Sequence, residues 1–156
     1  MYSFQNMIRF NGNHKFNTPV GVAGYSEDMK QRIIDFKTKT TTIETYNKDY
    51  AEFNWENYPK DTVFYFDPPY YITNASYNDG KRGMNGWNIN SELELLSTLK
   101  HINDIGQKFI LSNVIKHRDK EHTMLLDWVK ENNYRIHDAG ISGWRYAKNE
   151  ILITNY

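Results

Sequence analysis

The feature that most constrains the fold is a short apolar run that stops on two prolines. Thr62-Val63-Phe64-Tyr65-Phe66 is continuous and rich in β-branched and aromatic side chains, the pattern of a strand buried on both faces. Asp67-Pro68-Pro69-Tyr70 follows at once. Each proline fixes φ and removes an N–H, so the strand ends there and the turn is stiff. Such a strand needs cover above and below, and the chain offers helices to supply it. Ser26 caps one to about residue 38, with Met29, Ile33, Ile34 and Phe36 spaced for an inward face. Ser91 and Glu94 form a capping box that opens a second through Leu93, Leu96, Leu99 and Ile102, closed by Gly106. A third lies near residues 119–132, with Met124, Leu125, Trp128 and Val129 as its stripe.

Further strands are expected at Thr41–Tyr46, Lys108–Ser112, Tyr134–His137 and Ile151–Thr154. Strands alternating with helices of this length predict an α/β fold with a mostly parallel sheet. The last two strands have no helix between them, which predicts an antiparallel hairpin at the edge. The first 25 residues are polar and carry Gly12, Pro19, Gly21 and Gly24, so an irregular or hairpin segment is expected. From Asn74 to Trp87 the sequence is loop-like and rich in Gly and Asn.

At 156 residues the chain is one domain by length, and no apolar run approaches the roughly 18 residues a membrane span needs. Met1-Tyr2-Ser3-Phe4 has neither the basic start nor the apolar core of a signal peptide. With no cysteine, disulfides and thiolate metal sites are excluded. A cytoplasmic protein is expected. Net charge is zero, which argues mildly against nucleic acid, since phosphate binding usually leaves a basic excess. A neutral total can still contain a basic face. The aromatic content of 15% fits base stacking as well as core packing. His14, His101, His117, His122 and His137 show no ligand spacing, so no metal site is expected.

Chemistry concentrates at Asp67-Pro68-Pro69-Tyr70. Ligands of open α/β sheets bind beyond the carboxyl ends of strands, where this turn falls. It offers a carboxylate, carbonyls that proline cannot pair locally, and an aromatic plane. The carboxylate and a carbonyl can each accept one N–H of an exocyclic amine while the ring stacks on a flat amino-purine. The alternative is a strand-ending turn in which Asp caps and Tyr covers the core.

Asp-Pro-Pro-Tyr after a hydrophobic strand resembles the catalytic motif of the amino-methylating DNA methyltransferases, and Asp in first place resembles the adenine-N6 enzymes. Further stretches are similar to the α-group, the GATC-type adenine methyltransferases. These are Ile8-Arg9-Phe10-Asn11 with Phe16-Asn17-Thr18-Pro19-Val20-Gly21, Asn47-Lys48-Asp49-Tyr50, and Tyr77-Asn78-Asp79-Gly80-Lys81-Arg82-Gly83 with Gly86-Trp87. Leu111-Ser112-Asn113 and the ending Glu150-Ile151-Leu152-Ile153-Thr154-Asn155-Tyr156 complete the set, in the family's order.

The resemblance implies a site-specific, restriction-modification type DNA adenine-N6 methyltransferase that uses S-adenosylmethionine. It assigns Asp67, Pro68 and Tyr70 to catalysis, and Asp49 and Asp67 to the cofactor. Met7, Arg9, Asn11, Tyr77, Lys81 and Arg82 stand where the family meets double-stranded DNA. Read as residues alone, Asp49 is an exposed loop acid, Arg9 a surface arginine, Asn11 a turn asparagine and Met7 a buried methionine. Lys81 and Arg82 contact phosphates or are simply solvated, and Tyr77 and Trp87 stack on bases or pack their loop down. On the same resemblance, residues 1–25 are the end of a DNA-recognition segment and 26–156 the catalytic half of the methyltransferase domain.

The departures count equally. The family holds the cofactor's methionine portion in a Gly-rich turn of F-x-G-x-G type after its first strand. Gly21-Val22-Ala23-Gly24 follows no strand and has the wrong spacing, and Val22 stands where a basic residue often follows the Pro-x-Gly turn. The expectation is a C-terminal part whose cofactor binding is incomplete, with a separately encoded N-terminal half as a candidate partner. Two central strands would then be missing, leaving the strand that ends at Phe66 with an unpaired hydrophobic edge and favouring homo-oligomers. The competing expectation is a non-catalytic nucleic-acid-binding or interaction remnant of the same fold.

Overall fold

The computed structural model describes residues 11, 13, 15, 16, 26–73, 86–142 and 148–156. It divides into two units, Met1–Glu52 and Phe53–Tyr156.

In the first unit, helix α1 spans Glu27–Lys39. Ser26 caps it by accepting the Met29 N–H at 3.1 Å, with Glu27 and Asp28 in the first turn and Lys37 and Lys39 in the last, both favourable to the helix dipole. The stripe expected to face inward does not: Ile33, Ile34 and Phe36 are 55%, 47% and 68% exposed. Helical spacing makes a stripe able to pack, and whether it packs depends on a surface to receive it. The strand expected at Thr41–Tyr46 is absent as well. Those residues are turn and irregular chain, with Ile43 and Tyr46 exposed. β-branched residues favour a strand only where a ladder partner exists, and these residues have none among those described. Near the start, Asn11 N bonds Lys15 O at 2.8 Å, closing a tight turn.

The second unit contains one mixed sheet of β1 (Val63–Phe66), β2 (Lys108–His117), β3 (Lys120–Glu121), β4 (Arg135–Ser142) and β5 (Lys148–Thr154). Helices α2 (Ile89–Asp104) and α3 (Thr123–Glu131) complete it. The strand order is β1-β2-β5-β4, with β3 paired to β2 outside that path. β1 and β2 are parallel, and β5 runs against both β2 and β4. Hence β1, β2 and β4 point one way, and the sheet is mixed, with β1 and β2 paired in parallel and an antiparallel hairpin at its edge. The hairpin enters with its second strand innermost. β5 carries Ile151 and Ile153, 3% and 0% exposed, whereas Ile136 and Ile141 of β4 are 43% and 74% exposed. The more apolar strand takes the central place, and the polar one forms the edge.

Alternation along β2 shows where cover lies. Phe109, Leu111 and Asn113 share one face. Asn113 bonds Glu92 of α2, and the Phe109 ring lies 6.3 Å from that of Trp128 of α3, so both helices cover that face. In-register pairing puts Phe64 beside Phe109, and Trp55 and Tyr58 pack on Phe64 at 5.2 and 5.3 Å. The opposite face of β1 is open, with Val63 and Tyr65 44% and 60% exposed. This corrects the expectation of a strand buried on both faces: among the described residues the helices of this unit lie on one side only. β1 is also a terminal strand of the described sheet, as expected of an edge.

The cap of α2 lies three residues before the expected one. Asn88 is the cap, accepting from Asn90 N and Ser91 N at 2.9 and 3.2 Å. Asn caps as well as Ser, and the longer helix brings Glu92 onto the stripe of Leu95, Leu96, Leu99 and Ile102, all buried. Leu93, expected on that stripe, is 49% exposed. Gly106 follows the helix at φ +77°, a left-handed position that suits glycine.

Candidate active site

Register sets the site. Phe66 of β1 lies opposite Leu111 of β2, so the next residues, Asp67 and Ser112, leave the paired region side by side at the carboxyl end of β1. The Asp67–Tyr70 turn is tied down from behind. Thr73 donates its N–H and its hydroxyl to Tyr70 O at 3.0 and 2.9 Å, and Ile72 and Thr73 are buried.

Tyr70 folds back over the turn. Its hydroxyl donates to Asp67 Oδ1 at 3.0 Å and meets Ser112 Oγ at 3.1 Å. A phenol has one hydrogen, so the Ser112 hydroxyl is the donor in the second bond. Burial pushes the Tyr70 phenol up to about 12, Asp67 adds to the rise, and the Ser112 bond opposes it. The group is therefore a firm donor near neutrality. The Asp67 carboxylate is exposed, and its second oxygen remains as an acceptor. No donor among the described residues bonds the Pro68 carbonyl. One turn thus presents a carboxylate oriented by a phenol, an unbonded carbonyl and an anchored aromatic ring.

A buried polar cluster lies beside this turn. Glu92, 0% exposed, accepts from Trp87 Nε1 at 2.6 Å and Asn113 Nδ2 at 3.2 Å, and its Oε1 lies 3.0 Å from His122 Nε2. Trp87 is thereby packed down, one of its two readings from sequence. Neither Glu92 nor His122 was singled out for a role by the sequence reading, although helical spacing places Glu92 one turn before Leu95 and Leu96. Ser112 and Asn113 stood in a family-like stretch without an assigned role.

Of the other expected residues, two are described, and both belong to the first unit. Asp49 is in the first unit, where its Oδ1 accepts the Ala51 N–H at 3.0 Å and opens a short 3-10 turn, Tyr50–Glu52. Asn11 Oδ1 accepts from Asn13 N and Lys15 N, both at 3.0 Å. Met7, Arg9, Tyr77, Lys81 and Arg82 lie outside the described residues. Among the described residues no helix is long and apolar enough to cross a membrane.

Comparison with known proteins gives this geometry a family. The chain is 44% identical to modification methylase LlaI of Lactococcus lactis subsp. lactis over its whole length, which spans 25% of that protein. It is 36% identical to modification methylase StsI of Streptococcus sanguinis and to type II methyltransferase M.FokI of Planomicrobium okeanokoites. Each of those matches covers 99% of this chain and 25% of the relative, so the chain spans about a quarter of the curated relatives it matches. The family model for D12 class N6 adenine-specific DNA methyltransferases matches residues 1–140, which include the Asp67–Tyr70 turn and the β2 segment beside it. The chain belongs to the D12 class N6 adenine-specific DNA methyltransferase family.

Proposed function

We propose that this chain is the catalytic part of a restriction-modification type DNA methyltransferase that methylates the N6 amine of adenine in double-stranded DNA. The observation that carries the reading is the single turn holding an exposed carboxylate, an unbonded Pro68 carbonyl and the Tyr70 ring. The adenine amine is a poor nucleophile because its lone pair is delocalised into the ring. Asp67 and the Pro68 carbonyl each accept one amine hydrogen, which draws the nitrogen towards tetrahedral geometry and localises the lone pair. Tyr70 stacks on a base turned out of the duplex, and its hydroxyl holds the carboxylate in place.

S-adenosylmethionine supplies the activated methyl group when bound. Asp49 fits a role towards it, since its carboxylate is exposed and only Oδ1 is engaged by Ala51. Asp67 serves the cofactor side as well as the amine. The Gly-rich turn that would hold the methionine portion is not in this sequence, so residues beyond these 156 complete the cofactor site, in the same polypeptide or in a separately encoded half. Residues 1–25 then close the DNA-recognition segment, and 26–156 form the catalytic half. Met7, Arg9, Asn11, Tyr77, Lys81 and Arg82 face the DNA. The test is methyl transfer from labelled S-adenosylmethionine to adenine-containing duplex by the protein that carries this chain. Asp67→Ala should lower the rate by about 100-fold or more. Wild-type rates in that variant would refute the assignment.

A further inference from the structure

The buried Glu92 cluster has no part in the chemistry above, yet it lies one residue from it on two sides. Its carboxylate is withdrawn from water, which is costly unless hydrogen bonds replace the lost solvent. They do so from three places: Trp87 ahead of α2, Asn113 in β2, and His122 at the cap of α3. His122 Nδ1 accepts the Leu125 N–H at 3.4 Å, so Nε2 is the nitrogen that carries a hydrogen for Glu92. An apolar side chain would pack α2 on β2 without this arrangement. What the carboxylate adds is direction. Asn113 is the chain neighbour of Ser112, which holds the Tyr70 hydroxyl. The His122 ring lies 5.6 Å from that of Tyr71, the chain neighbour of Tyr70.

We propose that Glu92 is a positioning residue: by fixing Asn113 and His122 it sets Ser112 and Tyr71, and through them the orientation of Tyr70 over Asp67. The proposal rests on the reading in which Asp67 accepts from the adenine amine and Tyr70 stacks on the base while holding that carboxylate.

The two oxygens of Glu92 give the test its logic. Oε1 serves Asn113 and His122, whereas Oε2 serves Trp87 alone. In Glu92→Gln the new N–H₂ must face a donor whichever way the amide turns. Adding Trp87→Phe removes the donor at Oε2, so the amide nitrogen can occupy that position while its oxygen keeps the bonds to Asn113 and His122. The readout is the Tyr70 ring-carbon resonance in the 156-residue chain labelled at tyrosine Cζ, identified by its loss in Tyr70→Phe. Trp87→Phe alone should leave it near the wild-type position, Glu92→Gln should displace it, and the double variant should restore it. A merely structural role makes the double variant the worst of the three. An unmoved resonance in Glu92→Gln, or a double variant displaced as far as the single one, overturns the proposal. If Glu92→Gln does not fold, the double variant still decides, because a displaced Tyr70 resonance there refutes it. No substrate enters this measurement, so an Asp67→Ala variant with wild-type methyl transfer would defeat the methylation reading and leave this result readable.

Discussion

Tyr70 donates its phenolic hydrogen to Oδ1 of Asp67 across 3.0 Å, within a turn that both residues share. Stacking on a base needs only the ring, so the hydroxyl contributes something separate. It selects one carboxylate orientation and leaves the other oxygen open as an acceptor, which the proposed reaction uses for the amine. Tyr70→Phe keeps the ring and removes that bond. A hydrogen bond to a charged group contributes about 1.5–3 kcal/mol, so methyl transfer by the assembled enzyme should fall by about 10-fold or more while DNA affinity changes little. Steady-state rates against DNA concentration separate the two, and a Tyr70→Phe enzyme at the wild-type rate would show that the hydroxyl does not orient Asp67.

The Tyr70 hydroxyl also carries a pH signature. The Tyr70 phenol stands at about 12 in the folded chain, against 10.0 for an unperturbed tyrosine, chiefly through burial. Below 10 it is protonated in both states, so its contribution to stability is fully present there. Between 10 and about 12 the unfolded chain loses the proton first, binds fewer protons than the folded one, and stability falls as pH rises. Partial exposure of Tyr70 reduces the size of the effect. Phenolate absorbance should show one late-titrating tyrosine missing from Tyr70→Phe, and that variant should lose stability less steeply over the same window. Tyr134, also raised by burial, remains in both proteins.

The far end of the sheet depends on Asn155. Its side chain accepts from Phe109 N at 2.9 Å and donates to Asn103 Oδ1 and Gln107 O at 3.0 and 2.9 Å, joining the chain end to β2 and to the end of α2. Asn155→Ala leaves these partners unsatisfied in a half-buried place, and should cost about 1–3 kcal/mol. Urea denaturation monitored by circular dichroism reads this directly. A midpoint unchanged from wild type would mean that water replaces all three bonds.

Elements were legible in the sequence where packing agrees with local pattern. α2, α3, β2 and β5 lie where periodicity placed them, because their apolar residues are buried, as Leu99, Leu125, Phe109 and Ile153 are; β4 also forms, although its Ile136 and Ile141 are exposed. The Asp67 turn was legible because two prolines dictate their own backbone. Thr41–Tyr46 was misread because β-propensity carries no information about a partner strand. The α1 stripe was misread for the matching reason, as amphipathicity states a need and not its fulfilment. The Asn88 cap was hidden behind a good alternative at Ser91. The Glu92 cluster escaped because a glutamate on a helix is ordinarily solvated, and only its phase with Leu95 and Leu96 marked it as buried.

Open apolar surface leads to a test of association. β1 is a terminal strand of the described sheet, with Val63 and Tyr65 exposed on one face, and Ile33, Ile34 and Phe36 are exposed on α1. Unpaired edges and apolar stripes seek partners. The 156-residue chain at micromolar concentration should therefore form dimers or larger species in light scattering. A monodisperse monomer would refute this. Replacing Tyr65 with Lys should shift the distribution towards monomer, since a charge on an edge strand opposes pairing.

The last expectation concerns what the chain needs in order to act. In the proposed reaction its turn supplies the acceptors for the amine, but methyl transfer also requires the donor to be held in line with the nitrogen, and orientation of this kind accounts for a large share of the barrier. The sequence contains no Gly-rich turn after a strand to hold the methionine portion, and the chain spans 25% of its relative from Lactococcus lactis. The 156-residue chain alone should therefore give no measurable transfer of labelled methyl to adenine-containing duplex. Supplied with a polypeptide carrying the Gly-rich turn, it should become active, and Asp67→Ala in this chain should abolish the gain. Robust transfer by the isolated chain would show that the cofactor is held by residues already present. Activity on mixing that survives Asp67→Ala would show instead that the acceptor lies elsewhere than in the Asp67–Tyr70 turn.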